Sequence, residues 1–200
     1  MIRFFDLLIS FLGIILISPI LVIVSLLIII DSKLPVFYKQ KRVGQFNRDF
    51  ELLKFRTMRV DKENNSFLTT NKNANRITAS GYYLRKFKFD ELPQLINVLK
   101  GEMSIVGPRP EVRKYVSLYT DEQKEILNIK PGMTDYASIK FINEEEILSG
   151  AEDPEEYYIN KVLPEKILLS KIYYNNNSVK EYFKIIFITL YYTLMQGRGK

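Results

Sequence analysis

The alternation of hydrophobic and polar positions divides the chain into one long apolar segment followed by a series of short elements. Residues 7–30 contain no charged side chain. As a straight helix these 24 residues would extend about 36 Å, enough to cross a hydrocarbon core of about 30 Å. The apolar stretch is too long for a secretory signal peptide. Ser18 and Pro19 lie at its middle, and because proline removes a backbone hydrogen bond, we expect a kink or break there.

The charges around this segment bear on its topology. Arg3 precedes the segment, and five basic residues follow it closely: Lys33, Lys39, Lys41, Arg42 and Arg48. Positive residues prefer the cytoplasmic side of a membrane, so basic residues at both ends favour a re-entrant hairpin. On the residues alone, a kinked helix that spans the membrane is an equal alternative.

The next residues alternate in a way typical of strands. Residues 35–44 and 49–56 are rich in Val, Phe and Tyr and surround a Gly-Gln-Phe-Asn turn, which predicts a β-hairpin. Lys54 and Arg56 fall on the same face of the second strand because side chains alternate. Taken alone, Lys54 and Arg56 are interpreted as solvated charges at the edge of a sheet. Residues 61–75 are polar and predict a surface loop.

Residues 81–110 contain the highest density of residues that typically have specific structural or chemical roles: paired acids, basic residues, glycines and prolines. Asp90 and Glu91 precede an apolar-periodic stretch that ends at Gly101, which predicts a helix of about ten residues with acids at its start. The helix dipole and nearby basic residues should keep both carboxylates ionised near neutral pH. Such a carboxylate can act as a nucleophile or bind a divalent metal. The alternative is a helix cap without chemistry.

Gly107-Pro-Arg-Pro110 follows that helix. Each proline fixes its own φ and biases the residue before it toward extended conformations, so Arg109 is held on both sides. A guanidinium held in this way suits a bidentate contact to phosphate. Without the neighbouring motif, the tetrapeptide would be only a stiff loop.

The remaining chain predicts short helices and one turn. We expect a helix over about 111–119, a capping box between Thr120 and Gln123, and a helix that begins at Asp153 and Pro154. Pro164 should end that helix and start another. Lys130-Pro-Gly-Met-Thr134 predicts a tight turn with exposed backbone amides. A second capping box at Ser178 opens an apolar helix to about Met195, which lies either in the membrane interface or in the core.

Composition narrows the chemistry. The chain has 200 residues with 46% hydrophobic and 26% charged residues, which predicts a folded protein of one domain, or of one domain plus an anchor. It has no cysteine and no histidine, which excludes a disulfide framework, a Ser-His triad and a His-bound zinc. The net charge of +6 favours an anionic partner: nucleic acid, an anionic lipid surface or a phosphorylated substrate.

An ordered set of motifs resembles one family, the bacterial sugar transferases, and within it the small monotopic phosphoglycosyl transferases. The resemblance extends from the apolar segment to about residue 140. Its motifs are Lys54-Phe-Arg-Thr-Met58, Leu84-Arg85, Asp90-Glu-Leu-Pro-Gln-Leu95, Asn97-Val-Leu99, Gly101, Met103-Ser104, Val106-Gly-Pro-Arg-Pro110 and Lys130-Pro-Gly-Met-Thr134. Met133 and the Asp135-Tyr-Ala-Ser-Ile continuation depart from the family's commoner pattern, which leaves the sugar open.

This resemblance implies the transfer of a phospho-sugar from a UDP-sugar to polyprenyl phosphate, with release of UMP. It implies that Asp90 is the nucleophile, that Glu91 assists, and that both carboxylates contribute to a Mg²⁺ site. Phosphate contacts would come from Lys54, Arg56, Arg85 and Arg109, and nucleotide contacts from Pro131, Gly132, Met133 and Thr134. It also favours re-entry, broken at Ser18 and Pro19, over a spanning helix.

Together these expectations give a predominantly helical α+β fold. Residues 1–32 would form a re-entrant membrane helix-break-helix, and residues 33–200 a compact cytoplasmic catalytic domain at the plasma-membrane interface. That domain would hold a small β-hairpin and interfacial amphipathic helices, with residues 178–195 as one candidate. Two other functions are compatible with the charge and aromatic pattern: a membrane-anchored protein that binds nucleic acid or phospholipid, and a membrane-bound scaffold.

Overall fold

The structure, a computed structural model, describes residues 1–59 and 76–196. Within these ranges it is mostly helical, with two sheets of two strands each, and it confirms the predicted α+β class with a long N-terminal apolar helix. The polar loop predicted for residues 61–75 lies outside the described residues.

The elements are as follows. The helices are α1 (Ile2–Ser32), α2 (Ala79–Lys86), α3 (Gln94–Lys100), α4 (Arg113–Val116), α5 (Asp121–Lys124), α6 (Tyr136–Lys140), α7 (Glu144–Ser149), α8 (Pro154–Tyr157), α9 (Leu163–Asn175) and α10 (Val179–Gln196). The strands are β1 (Phe37–Val43), β2 (Asp49–Phe55), β3 (Ser104–Val106) and β4 (Gly132–Thr134).

Helix α1 is a single helix of 31 residues with Pro19 inside it, so the predicted break into two helices is wrong, whereas the predicted kink and re-entry stay predictions. Proline removes the N–H that would have bonded the carbonyl of Ile15, four residues earlier. The Ser18 hydroxyl donates to that carbonyl instead, at 2.8 Å. A serine next to a proline can therefore keep an apolar helix continuous, because it satisfies the carbonyl that the proline leaves unpaired.

Both ends of α1 contact the rest of the molecule. At its start, Arg3 donates to the carbonyls of Val98 and Leu99 at 2.7 and 3.1 Å. At its end, the Asp31 carboxylate accepts from the backbone N–H of Ser80 at 2.8 Å. Among the described residues, α1 is the one helix long and apolar enough to cross a membrane, by length and composition alone.

One face of α1 packs against the protein and the other is exposed. Ile2, Phe5, Ile9, Ile14 and Ile17 contact one hydrophobic cluster, and Leu21, Val24 and Ile28 contact another. The exposed face is strongly apolar and includes Phe4, Leu8, Phe11, Leu12, Ile15, Leu16, Ile23, Leu26, Leu27 and Ile30. This face has the composition of a surface that meets lipid rather than water.

The predicted hairpin is confirmed. Strands β1 and β2 are antiparallel, with Phe37 opposite Phe55 and Val43 opposite Asp49. A short 3-10 turn over Gln45–Asn47 joins them, in which Phe46 and Asn47 have positive φ. The hairpin places Lys54 near the end of β2, where it reaches toward the residues before α3.

The predicted turn with exposed amides at residues 130–134 is wrong, because Gly132–Thr134 forms the largely buried strand β4, parallel to β3. The N–H of Gly132 donates to the carbonyl of Pro108 at 2.9 Å, and that of Ser104 donates to the carbonyl of Pro131 at 2.8 Å. Gly107 and Gly132 allow the two backbones to approach closely, because neither has a Cβ.

Gly132→Ala should destabilise the protein. A Cβ at this position would lie 2.1 Å from the Gly107 nitrogen, so the strands would have to separate. Overpacking of this kind costs about 1–3 kcal/mol, and each kcal/mol lowers Tm by about 2–4 °C in a chain of this size. Gly150→Ala is the matched control, since its nearest atom would be 3.7 Å away. Equal melting temperatures for both variants, measured by thermal unfolding in detergent, would contradict the close packing.

For the helices after residue 110, the predicted N-terminal caps match the structure better than the predicted lengths do. The Thr120–Gln123 capping box and the Asp153 cap are confirmed. The helix predicted for 111–119 is only the short α4. The helix start predicted at Pro164 is confirmed, because α9 begins at Leu163 with this proline in its first turn. The chain stays helical before it, through a π-helical segment over Tyr158–Val162 that joins α8 to α9.

Helix α10 has a buried face, as predicted for a core helix, and its location in a membrane interface stays a prediction. Tyr182 and Ile185 are buried, whereas Phe187, Leu190, Tyr191 and Tyr192 are exposed. The buried face joins the hydrophobic cluster that also contains Leu95 and Val98 of α3. A separate cluster, which includes Tyr115, Tyr158 and Val162, forms the core on the side of α8 and α9.

Candidate active site

Asp90 and Glu91 lie in a 3-10 turn over Phe89–Glu91, before α3 rather than in its first turn. The turn follows Lys88, whose φ of 58° reverses the chain after α2. Pro93 then precedes the first residue of α3 and fixes its entry. The helix predicted to begin at these acids therefore begins at Gln94, because the proline marks its true N-terminus. It ends at Gly101, as predicted.

Glu91 is held by two cations from distant parts of the chain. Its Oε1 lies 3.0 Å from Lys54 Nζ, and its Oε2 accepts from Arg109 Nη1 at 3.1 Å. Arg109 Nη2 donates to Oε1, so the guanidinium engages both oxygens. Burial alone would raise the pKa of Glu91, but the charges of Arg109 and Lys54 outweigh it and hold that pKa well below its usual range. Glu91 is therefore ionised at neutral pH, as expected.

Asp90 is in a different state. Its side chain is 8% exposed, and no residue in the described part of the chain donates a hydrogen bond to its carboxylate. Burial raises the pKa of Asp90, and the charge of Lys54 counteracts this effect only in part, while Glu91 adds to it. This direction is opposite to the one expected from a helix N-terminus. The result is a carboxylate with free oxygens that gains little from its surroundings when it ionises.

The four predicted phosphate-binding residues do not all meet. Lys54 and Arg109 converge on Glu91, and Arg85 acts electrostatically on Asp90 while it forms an ion pair with Glu145. Arg56 does not join them. Its guanidinium donates to the carbonyls of Ser32 and Leu34 at 2.6 and 3.2 Å, and so satisfies carbonyl groups at the C-terminus of α1.

The predicted nucleotide-binding residues lie beside Arg109. Arg109 Nη1 is 3.5 Å from the carbonyl of Met133. Pro131, Gly132 and Thr134 are buried, and the Thr134 hydroxyl is 2.7 Å from that of Thr189 in α10. Through Arg109, the carbonyl of Met133 is linked to Glu91.

Two buried amide side chains of α3 were given no role by the sequence. Asn97 is fully buried and bonded to β2, and Gln94 is buried with no partner for its Nε2 within residues 1–59 and 76–196. Their signal in the sequence is an amide at two positions three residues apart in an otherwise apolar helix. Buried amides normally have hydrogen-bond partners, so such positions mark specific contacts.

Of the two carboxylates predicted to bind magnesium, only Asp90 has oxygens available for the ion. Asp90 has free oxygens, whereas both oxygens of Glu91 are engaged by Arg109 and Lys54. Among the described residues no group of three Asp, Glu, His or Cys side chains is placed to hold a metal. Mg²⁺ often takes one or two protein carboxylates and completes its shell with substrate phosphates and water, and this donor set suits that mode.

The arrangement can perform nucleophilic chemistry on an anionic substrate. A buried carboxylate with free oxygens lies beside a neutralised one, and Lys54, Arg85, Lys88 and Arg109 supply positive charge around the pair. Cations fixed before the substrate arrives stabilise negative charge that develops during a phosphoryl transfer.

Nearly the whole chain matches one known family. The model of the family described as "Bacterial sugar transferase" matches residues 1–196. The uncharacterized sugar transferase EpsL of Bacillus subtilis is 46% identical over 105 residues, which cover 52% of this chain and 51% of that protein.

Two relatives carry names that state an activity. The UDP-N-acetylgalactosamine-undecaprenyl-phosphate N-acetylgalactosaminephosphotransferase of Aeromonas hydrophila is 38% identical over 140 residues, which cover 68% of this chain and 33% of that protein. The UDP-glucose:undecaprenyl-phosphate glucose-1-phosphate transferase of Klebsiella pneumoniae is 34% identical over 193 residues, which cover 94% of this chain and 39% of that protein. The chain thus spans about half or less of the length of these three relatives.

Proposed function

Because the chain belongs to the bacterial sugar transferase family, we propose that it transfers a sugar 1-phosphate from a UDP-sugar to undecaprenyl phosphate. The products are undecaprenyl diphosphate sugar and UMP. The names of the relatives support this class of donor and acceptor, although they differ in the sugar, N-acetylgalactosamine in one and glucose in another. The reaction would begin the assembly of a glycoconjugate on the cytoplasmic face of the plasma membrane.

The observation that carries the mechanism is the contrast between the two neighbouring carboxylates. Glu91 is committed to Lys54 and Arg109, whereas the oxygens of Asp90 are free. We assign Asp90 as the nucleophile. Its carboxylate oxygen attacks the β-phosphorus of the UDP-sugar, the bond from that phosphorus to the bridging oxygen breaks, and UMP leaves with the electron pair. A sugar-phosphoryl aspartate remains.

The second half of the reaction regenerates the enzyme. A phosphate oxygen of undecaprenyl phosphate attacks the same phosphorus, and the bond to Asp90 breaks and returns its carboxylate. Two anions meet in each step, so fixed cations are needed. Lys54 and Arg109 are placed to neutralise the diphosphate, and Arg85 adds charge on the side of Asp90. Arg56, bound to carbonyls at the end of α1, is left out of this assignment.

We assign the metal site to Asp90 together with the phosphate oxygens of the donor. Mg²⁺ bound there would screen the repulsion between the carboxylate and the diphosphate. Glu91 would serve as a second ligand only if it gave up part of its contact to Lys54 or Arg109. The residues from Pro131 to Thr134 would bind the nucleotide through the side that Met133 presents next to Arg109.

The position of α1 supports a monotopic anchor. Arg3 and Asp31, near opposite ends of α1, both bond to the same domain, so both ends would lie on one side of the membrane. A helix that spans the membrane would separate them. We therefore propose that α1 enters the bilayer from the cytoplasmic side and returns as one helix that bends at Ser18 and Pro19, with its exposed apolar face toward lipid.

The proposed function is tested with the purified full chain in detergent or nanodiscs. UMP release is measured against a panel of UDP-sugars, with undecaprenyl phosphate present or absent and with Mg²⁺ or EDTA. We expect turnover with at least one UDP-sugar, dependent on acceptor and abolished by EDTA. If no UDP-sugar in a panel that includes UDP-glucose and UDP-N-acetylgalactosamine releases UMP, the proposed reaction is wrong.

A further inference from the structure

We propose that Asn97 is a positioning residue, whose side-chain amide holds β2 against α3 and so fixes Lys54 beside Glu91. The inference rests on the proposed function, because it concerns how the cation of that reaction is kept in place. Asn97 itself touches neither Asp90 nor Glu91 through its side chain; its partners are on β2 and at Glu102.

Strand β2 is hydrogen-bonded to β1 along one edge, and Asn97 bonds to its other edge. Its inner edge pairs with β1 along seven residues. On the outer edge, no other strand in the described ranges pairs with it. There, the N–H of Leu53 donates to Asn97 Oδ1 at 3.0 Å, and the carbonyl of Glu51 accepts from Asn97 Nδ2 at 2.8 Å. The amide thus takes the place of a neighbouring strand at the residues just before Lys54.

Only a side chain with both an acceptor and a donor can bond to the edge of β2 in this way. One oxygen must accept and one nitrogen must donate, at the same spacing as a backbone peptide group. The remaining N–H of Asn97 donates to Glu102 Oε2 at 2.7 Å. The oxygen and both N–H groups of the Asn97 amide therefore have partners, which fixes the orientation of the amide. A carboxylate in its place would set an acceptor against the carbonyl of Glu51, and an aliphatic side chain would supply neither bond.

The contacts close a ring that contains the active site. From Asn97 the path crosses to Leu53, continues to Lys54, crosses from Nζ to Glu91 at 3.0 Å, and returns along the chain to Asn97. Asn97 is completely buried, so its bonds to β2 are shielded from water. Lys54 is a flexible side chain on a two-stranded sheet, and without the amide its strand could shift relative to α3. A displacement of about 1 Å can cost about a hundredfold in rate.

A double-mutant cycle tests this inference. Lys54→Met should lower kcat by about a hundredfold, as loss of one charge-stabilising group does in other enzymes. Asn97→Ala should lower kcat by about tenfold while KM for the UDP-sugar changes by less than about threefold, because Arg109 remains in place. The double variant should be within about threefold of Lys54→Met alone, since a displaced strand has no further effect once the cation is gone.

Two control variants separate positioning from general loss of stability. Val162→Ala, in the core cluster on the side of α8 and α9, should lower Tm but leave kcat within about twofold of the wild-type value. Asn177→Ala removes an exposed amide and should change neither. If the losses from Asn97→Ala and Lys54→Met multiply to about a thousandfold in the double variant, Asn97 acts independently of Lys54 and the inference is overturned.

A measurement on the unmodified protein covers the case in which Asn97→Ala does not fold. The Leu53 amide should be protected from hydrogen exchange to the same degree as the amides of β2 that bond to β1. Exchange of Leu53 at the rate of an exposed edge amide would overturn the inference. If wild-type protein releases no UMP from any UDP-sugar but Leu53 is protected, the proposed function is at fault and the contact itself stands.

Discussion

Asp90→Asn should abolish turnover without weakening the fold. Loss of a covalent nucleophile lowers kcat by at least about a thousandfold. The fold should tolerate the change, because burial raises the pKa of Asp90 and the charged form is therefore the one that the folded protein disfavours. At neutral pH a neutral amide of the same shape removes that cost, so Tm should stay equal or rise. UMP release and thermal unfolding measure the two effects on the same sample.

The covalent step has its own measurement. Intact-protein mass spectrometry after incubation with the UDP-sugar alone should show one added sugar phosphate on the wild-type chain and none on Asp90→Asn. Asp121→Asn is the matched control, since the Asp121 carboxylate is fully exposed and pairs with Lys124 on the surface. This control should keep both activity and adduct. Near-normal UMP release by Asp90→Asn would exclude the covalent route through this residue.

Arg109→Lys should lower kcat/KM by about 10- to 100-fold although the charge is kept. The guanidinium donates to both oxygens of Glu91 and lies 3.5 Å from the carbonyl of Met133, and a lysine ammonium cannot meet two oxygens in this planar way. The defect should appear for every donor that the enzyme accepts, because it concerns the diphosphate rather than the sugar. Initial rates of UMP release over a series of donor concentrations give kcat and KM separately.

Arg113→Lys provides the comparison for Arg109→Lys. Arg113 also forms an ion pair, with Asp49, but its side chain is 48% exposed and lies on the surface. Surface pairs contribute little, so this variant should retain kcat/KM within about twofold. Equal activity of Arg109→Lys and the wild type would show that charge alone, without the forked geometry, is sufficient at this position.

The two carboxylates show how far local sequence reasoning reaches. The pairing of Asp90 with Glu91 ahead of an apolar-periodic stretch located the candidate site, and the prolines around Arg109 indicated a held guanidinium. Spacing could not reveal that the two acids have opposite pKa shifts. The difference arises because Glu91 meets Lys54 and Arg109, residues 37 and 18 positions away, whereas Asp90 is buried without a donor in the described chain.

At Arg56 and at Gly132, prediction from the local sequence was wrong. Alternation along β2 placed Arg56 on the same face as Lys54, but the strand ends at Phe55 and the guanidinium turns to the carbonyls at the end of α1. Pro131 and Gly132 have the local preferences of a turn, yet Gly132–Thr134 forms a strand because β3 offers a partner for its backbone. In both cases a tertiary contact outweighed the local preference.

The sequence by itself determined the long apolar segment, the hairpin, the helix caps and the acidic pair, because each depends on side-chain periodicity or dihedral preference over a few residues. Only the tertiary structure decided that α1 continues through Pro19, which cation meets which carboxylate, and that Asn97 bonds the outer edge of β2. Burial and hydrogen-bond partners depend on residues far apart in the chain, so the state of a charged group is known only when the chain is packed.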